Sequence, residues 1–155
     1  MKILLCISLL LLSCSNPSST GNEAITEDES KIVKDLIQGA FDDLWAGMDS
    51  TKISKYHTDD FIILENGEVW DNNRIKEFMR KKLNVEQRPK RINIMDYISL
   101  EKYGPSINVM YHNKAEFYQG DSLVNKGSWL ESALAIKTDD GWRLRMMHST
   151  WNRSK

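Results

Sequence analysis

Hydrophobic positions along this 155-residue chain change their spacing twice. The first stretch is a short apolar run, Ile3–Leu12, behind the lone charge of Lys2 and ahead of Ser13-Cys14. A positive start, a brief apolar core and a small residue at its end describe a cleaved export leader, and the run is too short to span a bilayer as a helix. Ser15–Glu23 then lacks any large apolar residue and reads as a flexible tether. From Ile32 the spacing is helical. Ile32, Val33, Leu36, Ile37, Ala40, Phe41, Leu44, Trp45 and Met48 form one apolar stripe, which predicts a helix over about 27–48. Thr26 followed three residues later by Glu29 supplies a capping box at its start. A short second helix is expected at 50–57, with Ile53 and Tyr56 inward.

Phe61–Leu64 and Val69-Trp70 flank Asn66-Gly67 and predict a hairpin, since Asn-Gly favours a type I′ turn. Asp71 can cap a third helix in which Ile75, Phe78, Met79 and Leu83 share a face. Beyond Lys90 the period becomes two. Ile92, Ile94 and Ile98 lie on one strand face, and Ile107, Val109 and Tyr111 on another. Leu130, Ser132, Leu134 and Ile136 alternate with Trp129, Glu131, Ala133 and Ala135, while Trp142, Leu144 and Met146 alternate with Arg143 and Arg145. Gly104-Pro105, Gln119-Gly120-Asp121 and Asp139-Asp140-Gly141 supply the turns. Three helices followed by a meander of long strands indicate an α+β domain, its helices laid on one face of a bent antiparallel sheet.

Composition narrows the chemistry. Basic and acidic side chains nearly balance, at 21 and 22, so nothing argues for a nucleic-acid partner. The two cysteines are Cys6, inside the leader, and Cys14 at its end. The folded part therefore has no thiol for a disulfide, a zinc site or a nucleophile. No phosphate-cradling glycine loop or nucleophile elbow is present, and no cofactor is expected.

Leu11-Leu12-Ser13-Cys14 resembles the lipobox of bacterial lipoproteins. That resemblance implies cleavage before Cys14, lipidation of Cys14 and a protein anchored to the membrane of a bacterial cell envelope. The chain then divides into a signal peptide (1–13), a lipidated Cys with its tether (14–26) and one domain (27–155).

Over about 28–151 the order of elements resembles the nuclear transport factor 2-like (SnoaL-like) superfamily. Trp45 and Asp49 late in the first helix, Asp59-Asp60-Phe61 before the first strand, Gly67, and Arg74-Ile75 opening the third helix carry the likeness. Gly141-Trp142 and His148-Ser149-Thr150 are similar to the terminal strand of the subset akin to the association domain of calmodulin-dependent kinase II. The resemblance implies a cone-shaped domain with a deep, mostly apolar pocket between the first helix and the concave sheet face. It leaves activity open, because cyclases, isomerases, dehydratases, binding modules and oligomerisation domains all share this fold. Trp70-Asp71 stands where that family often has a small glycine, so Trp70 is expected to narrow or cap the pocket.

Parity places Trp142, Leu144, Met146, His148 and Thr150 on one face of the last strand, and their apolar members make it the inward one. His148 would then be a ligand contact, or an acid/base group if the domain is catalytic. Glu131, on a neighbouring strand, could face it and form a dyad, or could lie on the solvated convex face. Trp45, Tyr56, Trp70 and Trp129 supply an aromatic wall, or simply core packing. His57, Asp59 and Asp60 crowd one strand entrance without a recognised zinc spacing, so no metal site is expected. His112 and Glu116 lie too far apart on one strand face for a compact dyad and read as surface. The basic stretch Arg80-Lys81-Lys82 and Arg88 to Arg91 reads as a solvated helix end and loop.

The expected pocket is thus Trp45, Tyr56, Trp70, Trp129, Met146, His148 and Thr150, with His148 and Glu131 as the best catalytic candidates. The expected protein is a membrane-anchored homodimer that binds a small, partly apolar molecule without catalysis. Two alternatives stand beside it: a cofactor-independent lyase or isomerase using a pocket histidine, and an interaction module whose cone is filled by its own side chains.

Overall fold

Thr26 opens the first helix through a reciprocal cap: its hydroxyl accepts from the Glu29 amide at 3.1 Å, and the Glu29 carboxylate accepts from the Thr26 amide at 3.2 Å. The computed structural model describes residues 23–84 and 87–152, so the leader, Cys14 and the tether before Glu23 lie outside the described residues. Helix α1 (Glu27–Ala40) continues into a π-helical turn, Phe41–Ala46. A wider turn shifts the angular position of each later side chain, and such turns recur at functional sites. Here it holds Phe41 and Trp45 on the same buried side, with ring centres 6.3 Å apart.

After a single 3-10 turn come α2 (Ile53–Tyr56), β1 (His57–Glu65), β2 (Glu68–Asp71), α3 (Asn72–Leu83), β3 (Lys90–Tyr103), β4 (Ser106–Gln119), β5 (Ser122–Thr138) and β6 (Gly141–Trp151). Asn66 and Gly67 both have positive φ, +48° and +91°, as a type I′ hairpin turn requires. Asp71 caps α3 by accepting from the Arg74 amide at 2.7 Å. The strands form one six-stranded sheet in the order β2-β1-β6-β5-β4-β3. The expectation of an all-antiparallel sheet needs one correction. The last strand inserts between β1 and β5 and runs parallel to β1, which makes the sheet mixed.

Side chains of α1 (Val33, Ile37, Ala40), of the π-helical turn (Leu44) and of α3 (Ile75, Met79) pack on one face of this sheet. That face contributes Phe61, Ile63, Ile107, Val109, Ala133, Ala135, Leu144 and Met147. Across the strands these positions line up in rungs. Ile63, Met147, Ala133 and Val109 are successive cross-strand partners and make a wholly apolar rung. The next rung toward the open end is Glu65, Ser149, Glu131, Tyr111 and Tyr97. Polarity therefore changes within one strand step.

A β-bulge governs what lies on that second rung. Ala135 pairs with Leu144 but Leu134 pairs with Met146, so Arg145 is an extra residue in β6. Below it Trp142 and Leu144 point inward; above it the alternation is reversed, and Met147 and Ser149 are the buried ones. Met146, His148 and Thr150 are thereby turned to the outer face. The expected inward set of the last strand is corrected at those three positions.

Candidate functional site

A cavity of about 370 Å³ opens between the π-helical turn, the β1–β2 hairpin, α3 and the upper rungs of the sheet. This is at the small end of the roughly 300–1,000 Å³ usual for small-molecule sites. Its helical wall is a chain of rings: Phe41 to Trp45, Trp45 to Phe78 at 6.0 Å, and Phe78 to Trp70 at 5.2 Å. Trp129 closes the opposite side, where it meets Trp151 edge-on at 4.7 Å. A Cβ on Gly127 would fall 2.5 Å from the Trp129 ring, so only glycine leaves that indole its place. Trp70 caps one flank, its indole N–H donating to Glu68 at 2.6 Å. Trp45, Trp70 and Trp129 line the cavity and leave it open.

The floor is polar. Glu131, only 5 % exposed, accepts from the Ser149 hydroxyl at 3.0 Å and from the Asn113 side-chain amide at 3.3 Å. Burial pushes its carboxyl up to about 7, against the opposing pull of these donors. The fully buried Tyr111 hydroxyl belongs to the same rung and has no well-formed hydrogen bond of its own. Glu65 flanks Ser149 from the other side, and burial raises its carboxyl too. Asn113 in turn accepts from Asn93 at 2.7 Å, which extends the polar ladder to β3. Every strand from β1 to β3 across the sheet thus places a polar group beneath the cavity.

Arg91 supplies the positive charge. Its guanidinium sits 5.0 Å from the Trp129 ring centre, 5.7 Å from Phe117 and 5.8 Å from Phe41. Glu131 and Glu65 act on it through space, yet among the described residues no carboxylate forms an ion pair with it. Its Nε is buried without a partner, as is the indole Nε1 of Trp45. Two residues that line one cavity thus each carry a buried donor with no protein partner, a state that is rare for buried polar groups.

Trp45, Trp70, Trp129 and Glu131 meet around the cavity. Tyr56 does not reach it: it is buried behind α1, donating to Asp43 at 2.5 Å and accepting from Lys55 at 2.8 Å. His148 is exposed on the outer face with Thr150 at 3.3 Å, and it pairs across the strands with Ser132, not with Glu131. The suggested His148–Glu131 dyad is therefore absent, because the bulge at Arg145 puts the two on opposite sides of the sheet. Arg91, in the basic stretch that reads as solvated, is instead an inward strand residue. The signal for it was the partner face of Ile92, Ile94 and Ile98, namely Arg91, Asn93, Met95 and Tyr97. Ser149 was missed by one residue, for the same bulge.

His57 is a structural group. It stacks on Phe61 at 3.6 Å, and its Nδ1 faces the Asn72 Oδ1 at 2.9 Å. Asn72 uses its amide to donate to the Thr58 and Asp59 carbonyls, so the histidine must be the donor to it. Burial holds the imidazole near 4, hence neutral. Among the described residues no cluster of three metal-ligating side chains occurs.

No protein-family model matches the sequence, and no curated protein does. Solved structures match its fold. An NTF2-like protein from Cytophaga hutchinsonii is 10 % identical with a TM-score of 0.64, covering 83 % of this chain and all of its own. ActVI-ORFA from Streptomyces coelicolor is 15 % identical with a TM-score of 0.69, covering 83 % of this chain and 100 % of its own. The CaMKII hub of S. rosetta is 14 % identical with a TM-score of 0.62, covering 79 % and 95 %.

Proposed function

Since this chain has the nuclear transport factor 2-like fold, we propose that its cone is a binding site for a small, partly apolar molecule carrying a hydrogen-bond acceptor. The observation that carries the reading is the pair of unsatisfied buried donors, Trp45 Nε1 and Arg91 Nε, on an open cavity walled by aromatic rings. Neither nitrogen is open to the cavity as it stands, so a ligand oxygen would complete them with a small shift of the two side chains, while the rings would cover its apolar part. Mass spectrometry of molecules released from the purified protein tests this, together with quenching of tryptophan fluorescence on adding them back. A protein that carries nothing and whose emission no small aromatic probe changes would refute it.

A second reading rests on Glu131. A buried carboxyl that titrates near neutrality beside a guanidinium is suited to moving a proton within a bound molecule, as a cofactor-independent lyase or isomerase would. Glu131, not a histidine, would be the base, with Arg91 stabilising the developing negative charge. Binding remains the primary reading, because it requires only the cavity and its donors.

The same proposal places the domain on the membrane through a lipidated Cys14, with a bacterial envelope location, and pairs two copies through the outer sheet face. There Ile62, Met146 and Leu134 share one rung, and Leu64, His148, Ser132 and Met110 the next. Ile62, Leu64 and Leu130 are 38–49 % exposed, an apolar surface that a second copy would cover.

A further inference from the structure

We propose that the molecule held in the cone is a small zwitterion: an apolar, ring-bearing compound with a carboxylate and an ammonium group, of the chemical class of a free aromatic amino acid. This rests on the binding reading above and specifies its ligand. Three features of the cavity each call for one part of such a molecule.

The first is an excess of positive charge at one place. Arg91 is largely buried among Trp129, Phe117 and Phe41, where its planar faces are covered by rings and no carboxylate pairs with it among the described residues. A guanidinium left this way is an incomplete pair: the rings and the more distant Glu131 and Glu65 offset part of the cost of burying its charge, but no oxygen among the described residues accepts from it. A carboxylate fits it better than a carbonyl, because the planar fork can donate two parallel hydrogen bonds. Trp45, which lines the same cavity, likewise has its Nε1 buried without a partner.

The second is a pair of buried carboxyl groups on the floor of the same cavity. Glu65 and Glu131 lie on either side of Ser149, which has a single hydroxyl hydrogen and donates it to Glu131. Asn66 reaches Glu65 and Asn113 reaches Glu131, but no lysine or arginine touches either carboxylate among the described residues. An ammonium group has three donors in a tetrahedral fan, which suits a position above Ser149 between the carboxyl groups of the two strands that flank it. Arg91 and the two carboxyl groups act on one another through space without touching, so each is left open to a group of opposite charge on the ligand. A ligand of one sign only would satisfy one and aggravate the other.

The third is the wall. Trp45, Phe78 and Trp70 present a continuous aromatic surface facing the polar floor. It would take a flat apolar side group. The volume of about 370 Å³ matches a single-ring compound better than a fused polycycle.

L-phenylalanine, 3-phenylpropanoate and phenethylamine dissect the proposal, because the second lacks only the ammonium and the third only the carboxylate. Tryptophan fluorescence of the full-length chain titrated with each gives the dissociation constants. Phenylalanine should bind at least about tenfold more tightly than either analogue, the scale of losing one charge-assisted contact. In Arg91→Met its advantage over phenethylamine should vanish, and in Glu131→Gln its advantage over 3-phenylpropanoate should shrink. Comparison of the three probes on the unaltered chain decides the matter even if a variant fails to fold. Either analogue binding as tightly as phenylalanine overturns the zwitterion while leaving the cavity a binding site. No response to any of the three also overturns it, and indole then serves as an uncharged probe: its binding would preserve the pocket reading, and its failure would end both.

Discussion

At the scale of single residues, the site is a set of groups whose charge states are set by burial. Glu131 holds its proton up to about 7 against an ordinary value of 4.5, so between those pH values the folded chain binds a proton that the unfolded chain has released. Folding stability must then fall as pH rises through that window, by on the order of 3 kcal/mol for this group alone. His57 has the opposite sign. Its imidazole is neutral down to about 4 when folded but protonates near 6.5 when unfolded, so its contribution grows as pH rises from 4 to 6.5. The two slopes oppose each other below 6.5, and only that of Glu131 continues above. Urea midpoints of the native chain should change little from pH 5 to 6.5 and then fall toward pH 8. Glu131→Gln should instead rise to pH 6.5 and stay level, since the amide keeps neutral hydrogen bonds to Ser149 and Asn113. Identical profiles for the two proteins would show that Glu131 is not the group responsible.

At the scale of elements, the single inserted residue of β6 decides which groups reach the cavity. Deleting Arg145 would remove the bulge while Leu144, Met147 and Ser149 stay inward and Met146 and His148 stay outward, so both flanks keep their pairing and only the local bend is lost. The upper part of the strand would have to shift to absorb the lost bend, which should cost about 1–3 kcal/mol. Arg145→Ala keeps the bulge and removes only an exposed ion pair with Asp60 at 2.8 Å, which should change stability by no more than about 1 kcal/mol. Thermal melts of both variants test the assignment. Equal losses would mean that the side chain, not the extra residue, carries the effect. The helices follow local rules more closely: the Thr26 cap, the Asp71 cap and the Asn66-Gly67 turn all form where their residue types predict.

At the scale of the whole molecule, the sheet separates two surfaces of different use. The concave one holds the cavity; the convex one carries Ile62, Leu64, Met146, Leu134 and Leu130. If two copies pair there, the native chain should show a dimer mass in light scattering at micromolar concentration. Leu134→Arg, in the middle of that face, should give a monomer with an unchanged circular dichroism spectrum. A native monomer would exclude the pairing. The proposed membrane anchor is tested separately: Cys14→Ala should abolish incorporation of labelled palmitate, and undiminished labelling would remove Cys14 from the role.

What the sequence determined by itself was everything that depends on neighbours along the chain. Periods of 3.6 and 2, caps and turn residues marked three helices and six strands, because these features act within a few residues and leave a local trace. The tryptophans of the site were legible too, as large rings in a small domain. Tertiary structure decided which face of each long strand looks inward. Parity counted from Leu144 and Met146 placed His148 in the pocket, and one unpaired residue reversed it; a bulge is set by how β5 and β6 pair, not by β6 alone. In the same way the apolar side of β3 faces outward and its Arg91 side inward, although hydrophobicity alone favours the reverse. A sheet with an open polar floor on one side and an apolar surface on the other inverts the usual rule, and only the packing of α1, its π-helical extension and α3 shows which side they cover.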